Sequence, residues 1–256
     1  MTRIRIAVTA AVLVLAVALP AQAERLRICF EEWTPFASVV DGKPVGLVVD
    51  IVDRAITAAG HQAVYSQQPY PRCRSNVRSG MYDAILMSSD EAGLVPAGVS
   101  IAFWEVGVIA RADWPVDRFG SLEDFNGATV GLVQAYAYHD GIPAAAPGWN
   151  LEYATEALFN LRKVAFGRID LTMVDIPWTR IQIRREGLKL KVLAPTLFAT
   201  PQRLYVHPGK ADFLPGIDAE ILRLIDDGTV DELYRQVVGT SFRDAQARAE
   251  AAMIRD

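Results

Sequence analysis

The sequence predicts an α/β protein in which helices pack on mainly parallel sheets. Three observations predict this class. Short apolar strands alternate with amphipathic helices along the chain, and several of those helices end at a glycine. The chain of 256 residues is long enough for two modest domains.

The first group of elements runs to about residue 111. Apolar residues between Leu47 and Ala59 recur at helical spacing, and Gly60 ends the helix that they predict. The other predicted elements are strands at 63–67 and 83–88, a helix at 72–79 and an extended run at 104–111.

The alternation then starts again. We predict strands at 128–133, 151–154, 170–174 and 189–193, helices at 122–125, from Tyr136, at 156–166 and from Pro177 to Gly187, and an extended run at 204–207. Two helices follow, and the second is predicted to begin at Thr229 with a capping box to Glu232. Residues 245–256 are predicted to form a frayed helical tail.

Residues 1–23 have the pattern of a cleavable export signal. Arg3 and Arg5 precede an apolar run at 6–19, and small residues lead to a predicted cut after Ala23. The alternative is a membrane anchor, but the apolar run is shorter than the roughly 20 residues of a membrane span. We therefore expect a soluble periplasmic protein.

Composition narrows the class of partner. The formal net charge is −4, whereas nucleic-acid binding needs a basic face, so we expect no nucleic-acid partner. The two cysteines and three separated histidines lack metal-ligand spacing, so we expect no metal and no cofactor.

Cys29 and Cys73 are predicted to form a disulfide. Cys29 lies at the end of the first strand and Cys73 at the start of the helix after the second strand, and these strands are neighbours in a doubly wound sheet. An exported protein also meets an oxidising compartment. The alternative is two buried free thiols.

About residues 25–242 resemble the family 3 extracellular solute-binding proteins of bacteria. The matching segments are Trp33-Thr-Pro35-Phe36, 46–50, 80–85, 130–134, 167–175 and the helix at 217–227 with Gly228-Thr229. Each segment alone is weak, but together they occur in the family's order and spacing.

The resemblance implies a two-lobe, periplasmic-binding-protein-like (type II) fold in which the second lobe is inserted in the first. Lobe 1 would comprise residues 24–114 and 196–256, and lobe 2 residues 115–195. It also implies a monomer that captures a small polar molecule, an amino acid or a related compound, between the lobes and delivers it to the permease of an ABC importer.

The resemblance transfers a ligand site in part. Trp33 occupies the position of an aromatic that covers the ligand, Phe36 follows it, and Asp175 occupies the position of the carboxylate that receives an α-ammonium group. Ser88 and Ser89 end the third strand, where the family holds the ligand carboxylate. Core packing for the aromatics, a helix N-cap for Asp175 and simple turn roles for the serines are the alternatives.

Two departures from the family concern the ligand's carboxylate. The family's arginine beyond the third strand is missing, because residues 89–96 include Asp90 and Glu91 but no arginine. Tyr136 lies where the family commonly has Gly-Thr, so its ring would narrow the site and face Trp33 across the ligand. Arg72 could supply a guanidinium instead, the alternative being a solvated residue of a first helical turn.

Two other functions remain open. The closed form could be recognised by a sensor instead of a permease, because both use the same cleft. The family also includes exported cyclohexadienyl dehydratases, for which Glu32, Asp90, Glu91 and His139 would be the acid–base candidates. No catalytic pair or triad is evident from spacing, so we expect a binding protein and not an enzyme.

Overall fold

The computed structural model describes residues 23–134, 136 and 138–254. The predicted export signal, except for Ala23, and the Ala135 and Ala137 neighbours of Tyr136 lie outside the described residues. Within the described residues, no helix combines the length and apolar character needed to cross a bilayer.

Strands and helices alternate as the sequence predicts. The strands are β1 (Arg25–Phe30), β2 (Ser38–Val40), β3 (Lys43–Val45), β4 (Gln62–Gln67), β5 (Ala84–Ser88), β6 (Val95–Pro96), β7 (Ala102–Arg111), β8 (Thr129–Val133), β9 (Asn150–Ala154), β10 (Leu171–Asp175), β11 (Leu190–Val192) and β12 (Phe198–Val206). The α-helices are α1 (Leu47–Ala58), α2 (Tyr70–Arg78), α3 (Gly141–Ala145), α4 (Ala157–Ala165), α5 (Ile176–Glu186), α6 (Leu214–Asp226), α7 (Thr229–Val237) and α8 (Phe242–Glu250). Short 3-10 turns lie at Leu122–Phe125, Ala146–Gly148 and Pro208–Phe213.

One sheet path connects the two halves of the protein, in the order β4-β1-β5-β12-β7-β10-β8-β9. The strands β4, β1 and β5 pair in parallel at one end, and β10, β8 and β9 pair in parallel at the other. Between them β12 and β7 pair antiparallel, from Phe198 opposite Val106 to Gln202 opposite Ala102. The predicted α/β class, with two parallel lobes and two extended crossings, is confirmed.

Each half has its own hydrophobic core. The first joins buried residues of β1, α1 and β5 to residues of β12, α6, α7 and α8, so segments near both ends of the described chain contribute to it. The second core, and a smaller hydrophobic cluster beside it, are built from buried residues between positions 106 and 198. The sheet therefore carries two separately packed lobes.

Four local predictions are corrected. Tyr136 is not helical, because the Tyr138 hydroxyl accepts from Val133 N and donates to Met173 O, and the helix begins later, at Gly141. Helix α7 has Gly228 as its N-cap, with no capping box at Thr229. The hairpin β2–β3 was not predicted. Strand β12 is longer than the predicted 204–207 because its first half pairs with β7.

The C-terminal segment is tied down as far as Ile254, contrary to the predicted frayed tail, whose last two residues lie outside the described residues. A capping box between Ser241 and Asp244 starts α8. In the last turn, Arg248 makes two hydrogen bonds to Glu105 of β7, at 2.6 and 3.0 Å, and only 2% of the Glu105 side chain is exposed. The backbone of Met253 and Ile254 then donates to Thr196 O and Leu197 O, and both side chains pack on the core of lobe 2.

The structure contains the predicted disulfide between Cys29 and Cys73, buried between β1 and α2. We expect no reactive thiol in the protein denatured without reductant, because the two cysteines of the chain are joined. A loop of 44 residues implies about 4 kcal/mol of stabilisation on the chain-entropy model. Thiol titration of the denatured wild-type protein tests the bridge, and two reactive thiols per chain would contradict it. Urea unfolding of the Cys29→Ala/Cys73→Ala variant measures the loss of stability.

Arg248→Met is expected to destabilise the protein by about 3 kcal/mol, because it leaves the buried Glu105 carboxylate without its bidentate partner. Arg243→Met is the matched control, since Arg243 lies on the same helix with 61% of its side chain exposed. Urea unfolding of the two variants measures the difference. Equal and small losses would show that the Glu105–Arg248 pair does not hold α8 to β7.

Candidate functional site

Trp33 is positioned by a tight loop after β1. Trp33 N donates to Ala37 O, while Ala37 N and Phe36 N donate back to Trp33 O. The loop rests on Gly46, whose φ is +133° and where a Cβ would lie 2.4 Å from Phe36 O, so another residue could not take this place without a backbone shift. Phe36 is buried in the core of lobe 1, with its ring centroid 4.4 Å from that of Trp33. It therefore has the packing role and supports Trp33 from behind.

Asp175 ends β10 and caps α5. Its Oδ1 accepts from Trp178 N at 2.7 Å, so the N-cap role considered from the sequence is confirmed. Pro177 occupies the first turn of the helix, where its missing N–H costs nothing. Antiparallel pairing places Asp175 opposite Val106 of β7, at the crossing between the lobes.

The two lobes meet where Trp33 contacts Asp175. Trp33 Nε1 donates to Asp175 Oδ2 at 3.3 Å, across 142 positions of the chain. Asp175 is only 2% exposed, and burial raises its pKa to about 7, against the lowering effect of the hydrogen bonds from Trp178 and Trp33. The Glu105 charge raises this pKa further. The site therefore holds a carboxyl group whose charge depends on what lies beside it.

Tyr136 lies near this carboxyl group and contacts further aromatic rings. Tyr136 is half-buried, and both burial and the nearby Asp175 charge raise its hydroxyl pKa. Its ring lies edge-on to Trp104, with centroids 6.0 Å apart, and 5.6 Å from the ring of Tyr138. Trp104, also half-buried, packs in turn against Phe198. The structure thus brings Trp33, Tyr136 and Asp175 together, as the resemblance implies, and adds Trp104.

The end of β5 differs from what the sequence suggested. The Ser88 hydroxyl lies 2.6 Å from the hydroxyl of Tyr70, and Ser88 is only 3% exposed. Tyr70 also donates to Glu91, whose other oxygen pairs with Arg78 at 3.1 Å. Burial and the Glu91 hydrogen bond raise the Tyr70 pKa to about 12, so the phenol remains a donor. Ser88 and Glu91 are thereby engaged within lobe 1.

The remaining predicted residues lie around this edge. Ser89 is exposed, and its carbonyl accepts from the Tyr205 hydroxyl at 2.7 Å. Arg72 lies in the first turn of α2 and is exposed, as is Asp90. Contact of any of these residues with a ligand stays a prediction.

Sequence reasoning missed Tyr70 as the partner of Ser88, and Glu105 as the acid beside Asp175. Tyr70 appeared only as the residue before Pro71 and Arg72, and nothing in local spacing links it to Glu91. Glu105 interrupts an apolar strand, and a buried acid at such a position signals a paired partner elsewhere in the chain. That signal was present.

Two α/β lobes on a shared sheet, linked by two long crossing strands, define the two-lobe fold of periplasmic binding proteins. The fold matches an L-cystine solute receptor of Neisseria gonorrhoeae in its unliganded open conformation, at a TM-score of 0.70 and 18% identity over 86% of this chain and 94% of that one. An ancestral cationic amino-acid solute-binding protein matches at 0.69 and 16%, over 84% and 95%.

A histidine kinase sensor domain with similarity to periplasmic binding proteins matches at a TM-score of 0.66 and 20% identity, over 84% of this chain and 96% of that one. These neighbours are named as binding or sensor proteins and not as enzymes. No family model matches the chain, and no curated protein matches it by sequence. The similarity therefore establishes the fold.

Asp175→Asn is expected to change how stability depends on pH. The native carboxyl has a pKa of about 7 against about 3.9 when unfolded, so the folded state binds the proton more tightly between these values. The free energy of unfolding of the wild type therefore falls as pH rises from 4 to 7. Asparagine can still accept from Trp178 N, yet it does not ionise. Between pH 5 and pH 8, the free energy of unfolding of the wild type should therefore fall by on the order of a few kcal/mol relative to that of the variant.

Urea unfolding at the two pH values measures this difference. Asp113→Asn is the control, because the Asp113 side chain is 77% exposed. Parallel pH profiles for the wild type and Asp175→Asn would contradict the raised pKa.

Proposed function

We propose that the protein is a periplasmic solute-binding protein that captures a small polar molecule, an amino acid or a related compound, between its lobes for an ABC importer. The observation that carries the proposal is the contact of Trp33 in lobe 1 with Asp175 in lobe 2. It brings an aromatic cover and a buried carboxyl group together at a crossing that can act as a hinge. The lobes would be residues 24–114 with 196–256, and residues 115–195.

Ligand capture by hinge closure follows from this arrangement. The crossing strands β7 and β12 are the covalent links between the predicted lobes, so rotation there would part Trp33 from Asp175, in directions limited by the contacts of Met253 and Ile254 with the core of lobe 2. A ligand that touches both residues binds the closed form better and shifts the population towards it. The protein would act as an exported monomer, and the permease would recognise its closed form.

A sensory role is the second candidate. It is favoured by the fold match to the histidine kinase sensor domain. In that case the same cleft would bind the same ligand, and the closed form would contact a receptor ectodomain. Permease and ATPase genes beside the coding gene would favour import, and a kinase or cyclase gene would favour sensing.

The proposal predicts saturable binding that depends on Trp33. A thermal-shift screen of amino acids, amines, small organic acids and sugars should yield a ligand, because occupancy at 100 times the dissociation constant stabilises the fold by about 2.7 kcal/mol. Trp33→Ala should then weaken binding by about 1–3 kcal/mol, the scale of burying one large side chain. Calorimetry measures this loss, and small-angle scattering measures the contraction on closure.

Trp114→Ala is the matched control. Trp114 is also half-buried, but it packs on the core of lobe 2 just beyond β7. We expect this variant to keep the wild-type affinity. Equal losses in the two variants, or turnover of the bound compound, would count against a binding site built on Trp33.

A further inference from the structure

On the lobe 1 side of the site, the polar side chains of Ser88, Tyr70 and Glu91 are bonded within the lobe; we call this group the Ser88–Tyr70–Glu91 wall. The Ser88 hydroxyl is bonded to Tyr70, and Tyr70 is bonded to Glu91. The Glu91 side chain is 1% exposed and balances Arg78. A carboxylate arriving at the end of β5 would therefore meet an occupied hydroxyl and a paired guanidinium.

The opposite wall favours a positive charge. Asp175 is flanked by the Trp33 indole and lies close enough to Tyr136 to affect its pKa. The Tyr136 ring packs edge-on against Trp104. The rings of Trp33, Tyr136 and Trp104 are only half-buried. Aromatic faces around a carboxylate attract ammonium and quaternary ammonium groups, because the ring quadrupole and the anion act in the same direction.

Several acidic groups lie around the site. The charge that acts on the Asp175 pKa is that of another acid, Glu105. Glu31 and Glu32, which flank the loop of Trp33, are exposed, as is Asp90 beyond β5. These acids give the mouth a negative potential, which raises the local concentration of cations.

Of the described arginines near the site, Arg248 is bound to Glu105. The half-buried Arg180 lies near that same pair without an ion pair of its own to a described residue, and its pKa is lowered by its burial and by Arg248. Arg203 lies opposite Ser88 in the sheet, and its Nε donates to Ser100 at 3.4 Å. Arg72 is exposed on α2. Arg180, Arg203 and Arg72 are the side chains that a ligand carboxylate would have to recruit.

We propose that the ligand is an organic cation, an amine or a quaternary ammonium compound, with no carboxylate beside the charged nitrogen. The proposal rests on the proposed function and narrows its ligand class. Asp175 would hold the cationic nitrogen, and Trp33, Tyr136 and Trp104 would enclose it. A zwitterionic amino acid would direct its carboxylate at the Ser88–Tyr70–Glu91 wall, where the Ser88 and Tyr70 hydroxyls are already bonded and cannot compensate for its lost hydration.

Matched pairs of ligands test this proposal. The probes are tyramine and tyrosine, histamine and histidine, and cadaverine and lysine, which differ by one carboxylate, and choline and glycine betaine, in which a carboxylate replaces a hydroxymethyl group. Each is titrated calorimetrically into the full mature protein. We expect at least one amine or choline to bind, at least tenfold more tightly than its carboxylate-bearing partner.

Three results would overturn the proposal, and only the third also bears on the proposed function. If the amino acids bind more tightly than their amines, the ligand class is wrong and the proposed solute-binding function stands. If none of these probes binds but sugars or small acids do, the class is again wrong and solute binding stands. Silence across all of these compounds would count against the proposed function itself.

Variants locate the binding groups. Tyr136→Leu should weaken binding of the cation at least tenfold, whereas Tyr136→Phe, which keeps the ring, should stay within a few-fold of the wild type. Trp114→Ala, which removes a half-buried ring from the core of lobe 2, should leave cation affinity unchanged. Equal binding by Tyr136→Leu and Tyr136→Phe, or equal losses in Tyr136→Leu and Trp114→Ala, would overturn the aromatic enclosure, and thermal unfolding of each variant would confirm that it is folded.

Discussion

The antiparallel pairing of β7 with β12 is the constraint on which the rest of the structure depends. On one side β12 holds the end of β5, with Arg203 opposite Ser88. On the other side β7 holds the end of β10, with Val106 opposite Asp175. Both walls of the cleft are therefore positioned from the same two strands, and a shift in their register would move Ser88 relative to Asp175.

The Glu105–Arg248 ion pair adds a second tie at the same place. A buried ion pair contributes little net stability compared with a well-packed apolar pair. Removing one partner is nevertheless strongly destabilising, because it leaves the other charge buried and unpaired. The pair fixes α8 against β7, and the backbone of Met253 and Ile254 then extends the tie to lobe 2. The two lobes are therefore linked by a third segment, which limits the directions in which they can move apart.

Features that depend on local pattern could be predicted from the sequence. The apolar stripe of α1 is set by 3.6-residue spacing, and Asp175 caps α5 because an acid before a first-turn proline suits a helix start. The Cys29–Cys73 bridge followed from the order of neighbouring strands.

Features that depend on distant partners could not be predicted. Tyr70 and Glu91 are 21 positions apart, and Arg248 is 143 positions from Glu105. A residue pattern shows each of these side chains alone, so it offers Glu91 as an acid–base candidate and not as the partner of Tyr70 and Arg78. The tail was misjudged for the same reason, because its stability comes from contacts with β7 and lobe 2 and not from its own helix propensity.

The direct contact between the lobes is too weak to replace a ligand. A hydrogen bond such as that from Trp33 to Asp175 contributes about 1 kcal/mol net, which changes an open–closed equilibrium about fivefold. Moving a population from 1:99 to 99:1 requires about 5.5 kcal/mol of differential binding. The Trp33–Asp175 bond can align the two walls, but a group that satisfies Asp175 and fills the space between the rings must supply most of the free energy of closure.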